Sequence, residues 1–215
     1  MRHGRHRLAI AAALTAATLT AGCQSDGGTA PLSLNRLTET ADGVPPEGTN
    51  TCPLPYDMAK AAKAAGLDAA AGPGPVQDSD APVATAEGGK RAKPGEPLAQ
   101  NPGALVSCTF HIGRDDVQVH TVATRKPHAI APLAPVVGAL AGASTDDLIS
   151  YMKKAGNAAV GEVVVTDNGN VAAVRLKLDG DGDAFLLVGV GEAGSAAPDR
   201  KQVGDLAEAL AGQVE

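Results

Sequence analysis

The stretch LVSCTFHIGRDDVQVHTVAT, residues 105–124, carries the clearest period in the chain. Val106, Cys108, Phe110 and Ile112 alternate with Leu105, Ser107, Thr109 and His111, and a second alternating run, 117–124, follows the Gly113–Asp116 turn. Residues two apart share one face of a strand, so this period predicts an antiparallel hairpin. Pairing Ile112 with Val117 gathers Val106, Cys108, Phe110, Ile112, Val117, Val119 and Ala123 on one face and leaves the other mostly polar. A slip of one residue would destroy that separation.

Working outward, Asn168-Gly169 between residues 159–166 and 171–178 is a second and stronger hairpin signal, because both residues suit the positive φ of a two-residue turn. Pairing Thr166 with Val171 puts Ala159, Gly161, Val163, Val165, Ala172, Val174, Leu176 and Leu178 on one face. It also sets Glu162 opposite Arg175, an ion pair expected to contribute about 0.2–1 kcal/mol. A fifth strand is predicted at 184–190. Helical spacing recurs in Met58, Ala61, Ala62 and Ala65, which follow Pro53 and Pro55 and precede Gly66, a suitable C-terminal cap. It recurs in Leu148, Ile149 and Met152, with Ser144 and Asp147 at the start and Gly156 at the end. A last helix is read from Val203, Leu206, Ala207, Leu210 and Val214, with Pro198 near its start. Leu133, Val136, Val137 and Leu140 lie among prolines and are expected to form a turn of helix. The order α-β-β-α-β-β-β-α predicts an α+β fold: an antiparallel sheet of about five strands packed on one face by helices. Residues 51–215 are read as one such domain, with a Pro/Gly-rich insertion at 72–103 that is either a long loop or disordered.

Upstream, Arg2, Arg5 and Arg7 precede an apolar run, 8–19, of twelve residues, too short to span a bilayer core of about 30 Å as a helix. This is the pattern of a secretory leader, predicted to occupy 1–22. Leu19, Thr20, Ala21, Gly22 and Cys23 resemble the lipobox of bacterial lipoproteins, with Ala21 and Gly22 at its small positions and Thr20 where Leu is commonest. The resemblance implies a diacylglycerol thioether on Cys23, whose methylenes, at about 0.8 kcal/mol each, would hold the chain on a membrane without a spanning helix. The other reading is a plain cleaved leader with Cys23 as a free thiol. No paired arginines occur, so the general secretory route is expected. Residues 24–50 are rich in Gly, Thr, Pro and Asp without a sustained period and read as a flexible tether of about 30 Å.

Cleavage after Gly22 would remove three positive charges and move the formal net charge from -6 to -9. An acidic body repels nucleic acid, which is excluded as a partner. Tyr56, Phe110, Tyr151 and Phe185 are the only aromatics and there is no Trp, so the core must be built from Val, Leu and Ala and sugar stacking is disfavoured. With Cys23 acylated, Cys52 and Cys108 remain as an even pair in an oxidising compartment and are expected to form a disulfide. Closing a loop of about 57 residues would contribute on the order of 4 kcal/mol. The alternative, a metal pair or two reactive thiols, lacks further ligands at short spacing. A Cys-Pro entering a short helix, a glycine after it, a variable loop, a second Cys within the first strand and a closing amphipathic helix are similar to small actinobacterial cell-envelope lipoproteins of unknown function. The resemblance covers residues 50–214 and implies a secreted helix-and-sheet domain with no established activity.

Several chemical motifs are incomplete. Gly189, Gly191 and Gly194 spell G-x-G-x-x-G, but a dinucleotide fold needs a further parallel strand and an acidic residue about twenty positions on. Asp179, Asp181 and Asp183 imitate the start of a calcium loop, yet Ala184 and Val190 stand where Gly and Glu are required. His111 and His120 fall on the polar face of the first hairpin as diagonal neighbours and would need a third ligand to hold zinc. Ser150 and Lys153 form S-x-x-K without the K-T-G and S-D-N elements that go with it. No G-x-S-x-G occurs, and no His stands where a Ser or Cys triad can be argued. The expected function is therefore a membrane-anchored lipoprotein on the extracytoplasmic side whose domain is a non-enzymatic binding or interaction module. Its partners would be the membrane, through the lipid, and a protein or small-molecule ligand; no cofactor and no metal site are implied. The expected contact face is the second face of the later strands, where Val160, Val164, Val171, Ala173, Phe185 and Leu187 mix with Glu162, Arg175 and Lys177, unless residues 129–140 cover it. The rival class is an envelope hydrolase or metal-dependent enzyme, which would show a deep pocket with clustered ionisable groups; a structural component with no ligand is the third.

Overall fold

The alternating stretch forms the central hairpin of a computed structural model that describes residues 31–76 and 81–215. The leader, Cys23 and the first part of the expected tether lie outside the described residues. In chain order the elements are α1 (Leu34–Gly43), α2 (Met58–Ala64), β1 (Ala71–Pro73), β2 (Ala84–Gly88), α3 (Pro97–Gln100), β3 (Gly103–Ile112) and β4 (Asp115–Thr124). They continue with α4 (Ala134–Ala141), α5 (Thr145–Gly156), β5 (Val163–Val165), β6 (Val171–Arg175), β7 (Asp183–Val190) and α6 (Arg200–Ala211). The fold is α+β, with an antiparallel sheet in the order β1-β3-β4-β7-β6-β5. β2 lies beside β1 on the same edge of β3: β1 pairs residues 110–112 and β2 pairs residues 104–108.

Both expected hairpins form. In the first, Phe110 rather than Ile112 faces Val117, and Ile112 faces Asp115, a shift of two residues from the expected pairing. Gly113, at φ 62°, lets Gly113 and Arg114 turn the chain alone, so Asp115 and Asp116 join the strand. A shift of two preserves the faces, which is why the apolar set stays together. In the second hairpin Val163 faces Val174 and Val165 faces Ala172, the expected register. The predicted Glu162–Arg175 pair does not form. The Glu162 carboxylate accepts from the Ala159 amide at 2.8 Å, while Arg175 Nε donates to Asp183 at 2.9 Å.

Helices cover both faces of the sheet, not one. Val106, Phe110, Val119, Leu186 and Val188 pack with Leu37, Met58, Leu206 and Leu210 from α1, α2 and α6. On the other side Leu105, Val122, Val171, Phe185 and Leu187 pack with Leu133, Val137, Tyr151 and Ala155 from the segment containing α4 and α5. Each fully buried side chain of this kind stabilises by about 1.5–3 kcal/mol. Gly189 permits the close seating of α4, since a Cβ there would lie 2.6 Å from Leu140 Cδ1. Cys52 and Cys108 form a disulfide with Cα atoms 5.5 Å apart, tying the approach to α2 onto β3 against the first core.

Two further expectations are corrected. From residue 31 onward the segment read as a tether is structured: Ser33 Oγ caps α1 by accepting from the Arg36 amide at 3.3 Å, and Leu37 and Ala41 are buried. Ten residues with so narrow an apolar stripe form a helix only when the stripe is packed, and β3 supplies that packing. The insertion at 72–103 is largely ordered as well, holding most of β1, all of β2 and α3, and a 3-10 turn at Gly89–Arg91. Thr109 joins the two edge strands: its carbonyl accepts from Gly74 at 2.9 Å and its amide donates to Val83 at 2.7 Å.

Candidate functional site

Most of the face expected to meet a partner is interior, and only Val160, Glu162 and Lys177 at its margin are exposed. Val164, Val171, Phe185 and Leu187 are each no more than 1% exposed, beneath residues 129–155. Arg175 is committed there too: it pairs with Asp183, donates to the Ala158 carbonyl at 3.1 Å and lies 5.9 Å from the Phe185 ring centroid, a cation–π distance. Asp183 completes this anchor by accepting from the His128 and Ala129 amides at 2.9 and 3.0 Å, an arrangement for which His128 takes the left-handed φ of 75°. Asp183 is therefore buried and engaged while Asp179 and Asp181 are exposed, so the three carboxylates do not converge on a cation.

The covering helices leave the other half of that face open. Across β2, β3, β4 and β7 one row runs Thr85, Ser107, His120, Leu187; the next runs Thr109, Gln118, Gly189. A third runs Glu87, Leu105, Val122, Phe185. Over the strands nearer β2 these rows floor a groove of about 240 Å³, walled by Pro82 and by Val136 of α4. Among the described residues its polar lining is Thr85, Glu87, Ser107, Thr109, Gln118 and His120, and Glu87 supplies the only charge.

At the centre, Ser107 Oγ and His120 Nδ1 are 2.8 Å apart. His120 is 7% exposed, its Nε2 is buried without a partner, and burial pushes its pKa down to about 4. The imidazole is thus neutral at pH 7. Of the two tautomers, the one with the proton on Nδ1 leaves a bare acceptor at Nε2; the other leaves a buried N–H without an acceptor, the rarer and costlier defect. The first assignment has Nδ1–H donating to Ser107 Oγ, which frees the serine proton to point into the groove. A general base needs the opposite arrangement and a partner to steady the imidazolium, and nothing on Nε2 provides one.

The sequence places no His where a triad can be argued, and it does not reveal that His120 lies beside Ser107. His120 faces Ser107 because the hairpin turn is two residues shorter than expected. The same shift separates the two histidines: His111 faces Asp116, and its Nδ1 donates to the Gly74 carbonyl at 3.0 Å. Among the described residues no cluster of three or more His, Cys, Asp or Glu could hold a metal. Ser150 borders a separate cavity of about 130 Å³ whose lysine is Lys154, not Lys153. The glycines 189, 191 and 194 serve Leu140 packing and two positive-φ turns at 54° and 79°.

No described helix is long and apolar enough to cross a membrane. No family model matches the chain, and no curated protein or solved structure shows significant similarity to it. What the fold and the groove define is a class: an α+β domain, cross-linked by one disulfide, with one half of a sheet face left open and polar.

Proposed function

We propose that this chain is a lipid-anchored extracytoplasmic lipoprotein whose folded body binds a small polar ligand or partner side chain in the groove over β2, β3 and β4, without catalysing a reaction. The observation that carries the binding reading is the Ser107–His120 pair, half-sunk in a groove whose remaining lining is hydroxyl, amide and one carboxylate. Such a lining offers hydrogen bonds without a nucleophile-activating set. The location rests on residues 19–23, read as a lipobox, and the Cys52–Cys108 disulfide supports an oxidising compartment. An envelope hydrolase is the second reading, favoured by the 2.8 Å Ser107–His120 contact alone.

Expression of the full chain in a bacterium that processes lipoproteins tests both parts. The anchored reading expects a membrane-bound product whose mass shows cleavage before Cys23 plus a diacylglyceryl group, and release of Cys23→Ala from the membrane. Unmodified Cys23 in soluble material overturns it. Treatment of the same protein with a fluorophosphonate should leave Ser107 unlabelled; stoichiometric labelling lost in His120→Gln would establish the hydrolase instead.

A further inference from the structure

We infer that the groove is a socket for an arginine side chain, with the guanidinium on Glu87 and the adjoining carbonyl accepting from Ser107. This deepens the binding reading above and rests on it. The sign of the ligand follows from the lining. Glu87 is exposed at the groove's edge, and among the described residues its carboxylate has no hydrogen-bond or ion-pair partner and no cation lines the site. An anionic ligand would meet an uncompensated carboxylate and an acidic protein. A cationic one would neutralise it, and a guanidinium can do so through two parallel N–H bonds.

The second contact point is the Ser107 hydroxyl, freed as a donor by the His120 tautomer. Glu87 faces Leu105, and Ser107 faces Thr85, so Glu87 and Ser107 are diagonal neighbours on one face, about 7–8 Å apart at the backbone. An acceptor and a cation separated by an apolar stem of that length describe an arginine and its own main-chain carbonyl. The stem has matching surfaces in Leu105 on the floor and Val136 on the wall. At about 240 Å³ the groove falls below the usual size of a pocket for a drug-sized ligand, and it fits a single side chain. Thr109 and Gln118 remain to bond the neighbouring amide groups of a polypeptide.

The test uses the full processed chain in detergent micelles, with N-acetyl-argininamide as the probe and its neutral isostere, N-acetyl-citrullinamide, as the control. At ten times its Kd the arginine probe should raise Tm by about 3 °C, and the citrulline probe should not. Glu87→Gln should abolish the rise and Ser107→Ala should weaken binding several-fold, whereas Glu39→Gln, an exposed carboxylate on α1, should leave it unchanged. Free arginine separates the sources: a rise equal to that of the blocked probe marks a free amino acid, and a smaller one marks a residue within a chain. An equal response to citrulline, or a rise that survives Glu87→Gln, overturns the arginine socket while leaving a polar binding groove in place. No response to either probe also overturns it, and a different ligand found in the groove would show that only the choice of arginine failed.

Discussion

Acidification should destabilise this protein through His120, and the amount can be worked from its burial. The unfolded chain protonates an ordinary histidine near pH 6.5, while the folded protein holds His120 down to about 4. A lowered folded pKa means the unfolded state binds the proton first as pH falls. Stability from this group is therefore complete above pH 6.5, falls between 6.5 and 4, and is fully lost below that window. At 1.36 kcal/mol per pH unit, the drop from pH 6.5 to 5 is about 2 kcal/mol, a large part of the 5–15 kcal/mol typical of a domain. Unfolding responds to pH through more than one group, so the informative quantity is a difference. His120→Gln keeps a side chain able to reach Ser107 but cannot be protonated, so its urea midpoint should decline less steeply with pH. Urea unfolding at pH 7.5, 6.5, 5.5 and 5.0, with the disulfide intact, gives both curves. The wild type should lose about 2 kcal/mol more than the variant between pH 6.5 and 5.0. Parallel curves would refute the reasoning, because they would mean that His120 accepts a proton in the fold as readily as in water.

Other perturbations probe the frame that leaves the groove open. Asp183→Asn leaves the Arg175 charge without its counter-ion and weakens the cradle for the His128 and Ala129 amides, so it should cost about 3 kcal/mol and speed hydrogen exchange at Ala129. Reducing the Cys52–Cys108 bond should remove on the order of 4 kcal/mol, read as a lower urea midpoint with the sheet's circular dichroism retained at zero denaturant. Gly189→Ala would drive a methyl into Leu140 and should cost about 1–3 kcal/mol in thermal unfolding, with Leu140 methyl shifts in NMR reporting the lifted α4.

The hairpin faces were legible because a period of two is a local property of residues 105–124, and so was the α+β class that followed from it. Turn length was not. Gly113–Asp116 reads equally well as a loop or as a two-residue turn plus two strand residues, and only pairing along the whole of β3 and β4 decides. That ambiguity concealed the site, since Ser107 and His120 meet in one register and miss in the other. α1 had a signal in Ser33, Leu37 and Ala41, but a stripe so thin is stable only against a sheet that the sequence cannot yet place. β2, with the sequence ATAEG, has almost no strand propensity of its own and is held by its pairing to β3. Every residue of β7 is buried, and beyond Asp183 its sequence is apolar on both sides and gives no clue to which face lies open. The open half of the sheet is bounded instead by α4, whose Val136 walls the groove while Leu140 seats on Gly189.

Native mass spectrometry of the full chain, isolated from its own cells and released gently from detergent, tests the groove as a binding site most directly. A discrete, stoichiometric adduct should accompany the wild-type protein, be lost from Glu87→Gln and be diminished in Ser107→Ala. An adduct that persists unchanged in both variants would place the ligand elsewhere and contradict the account.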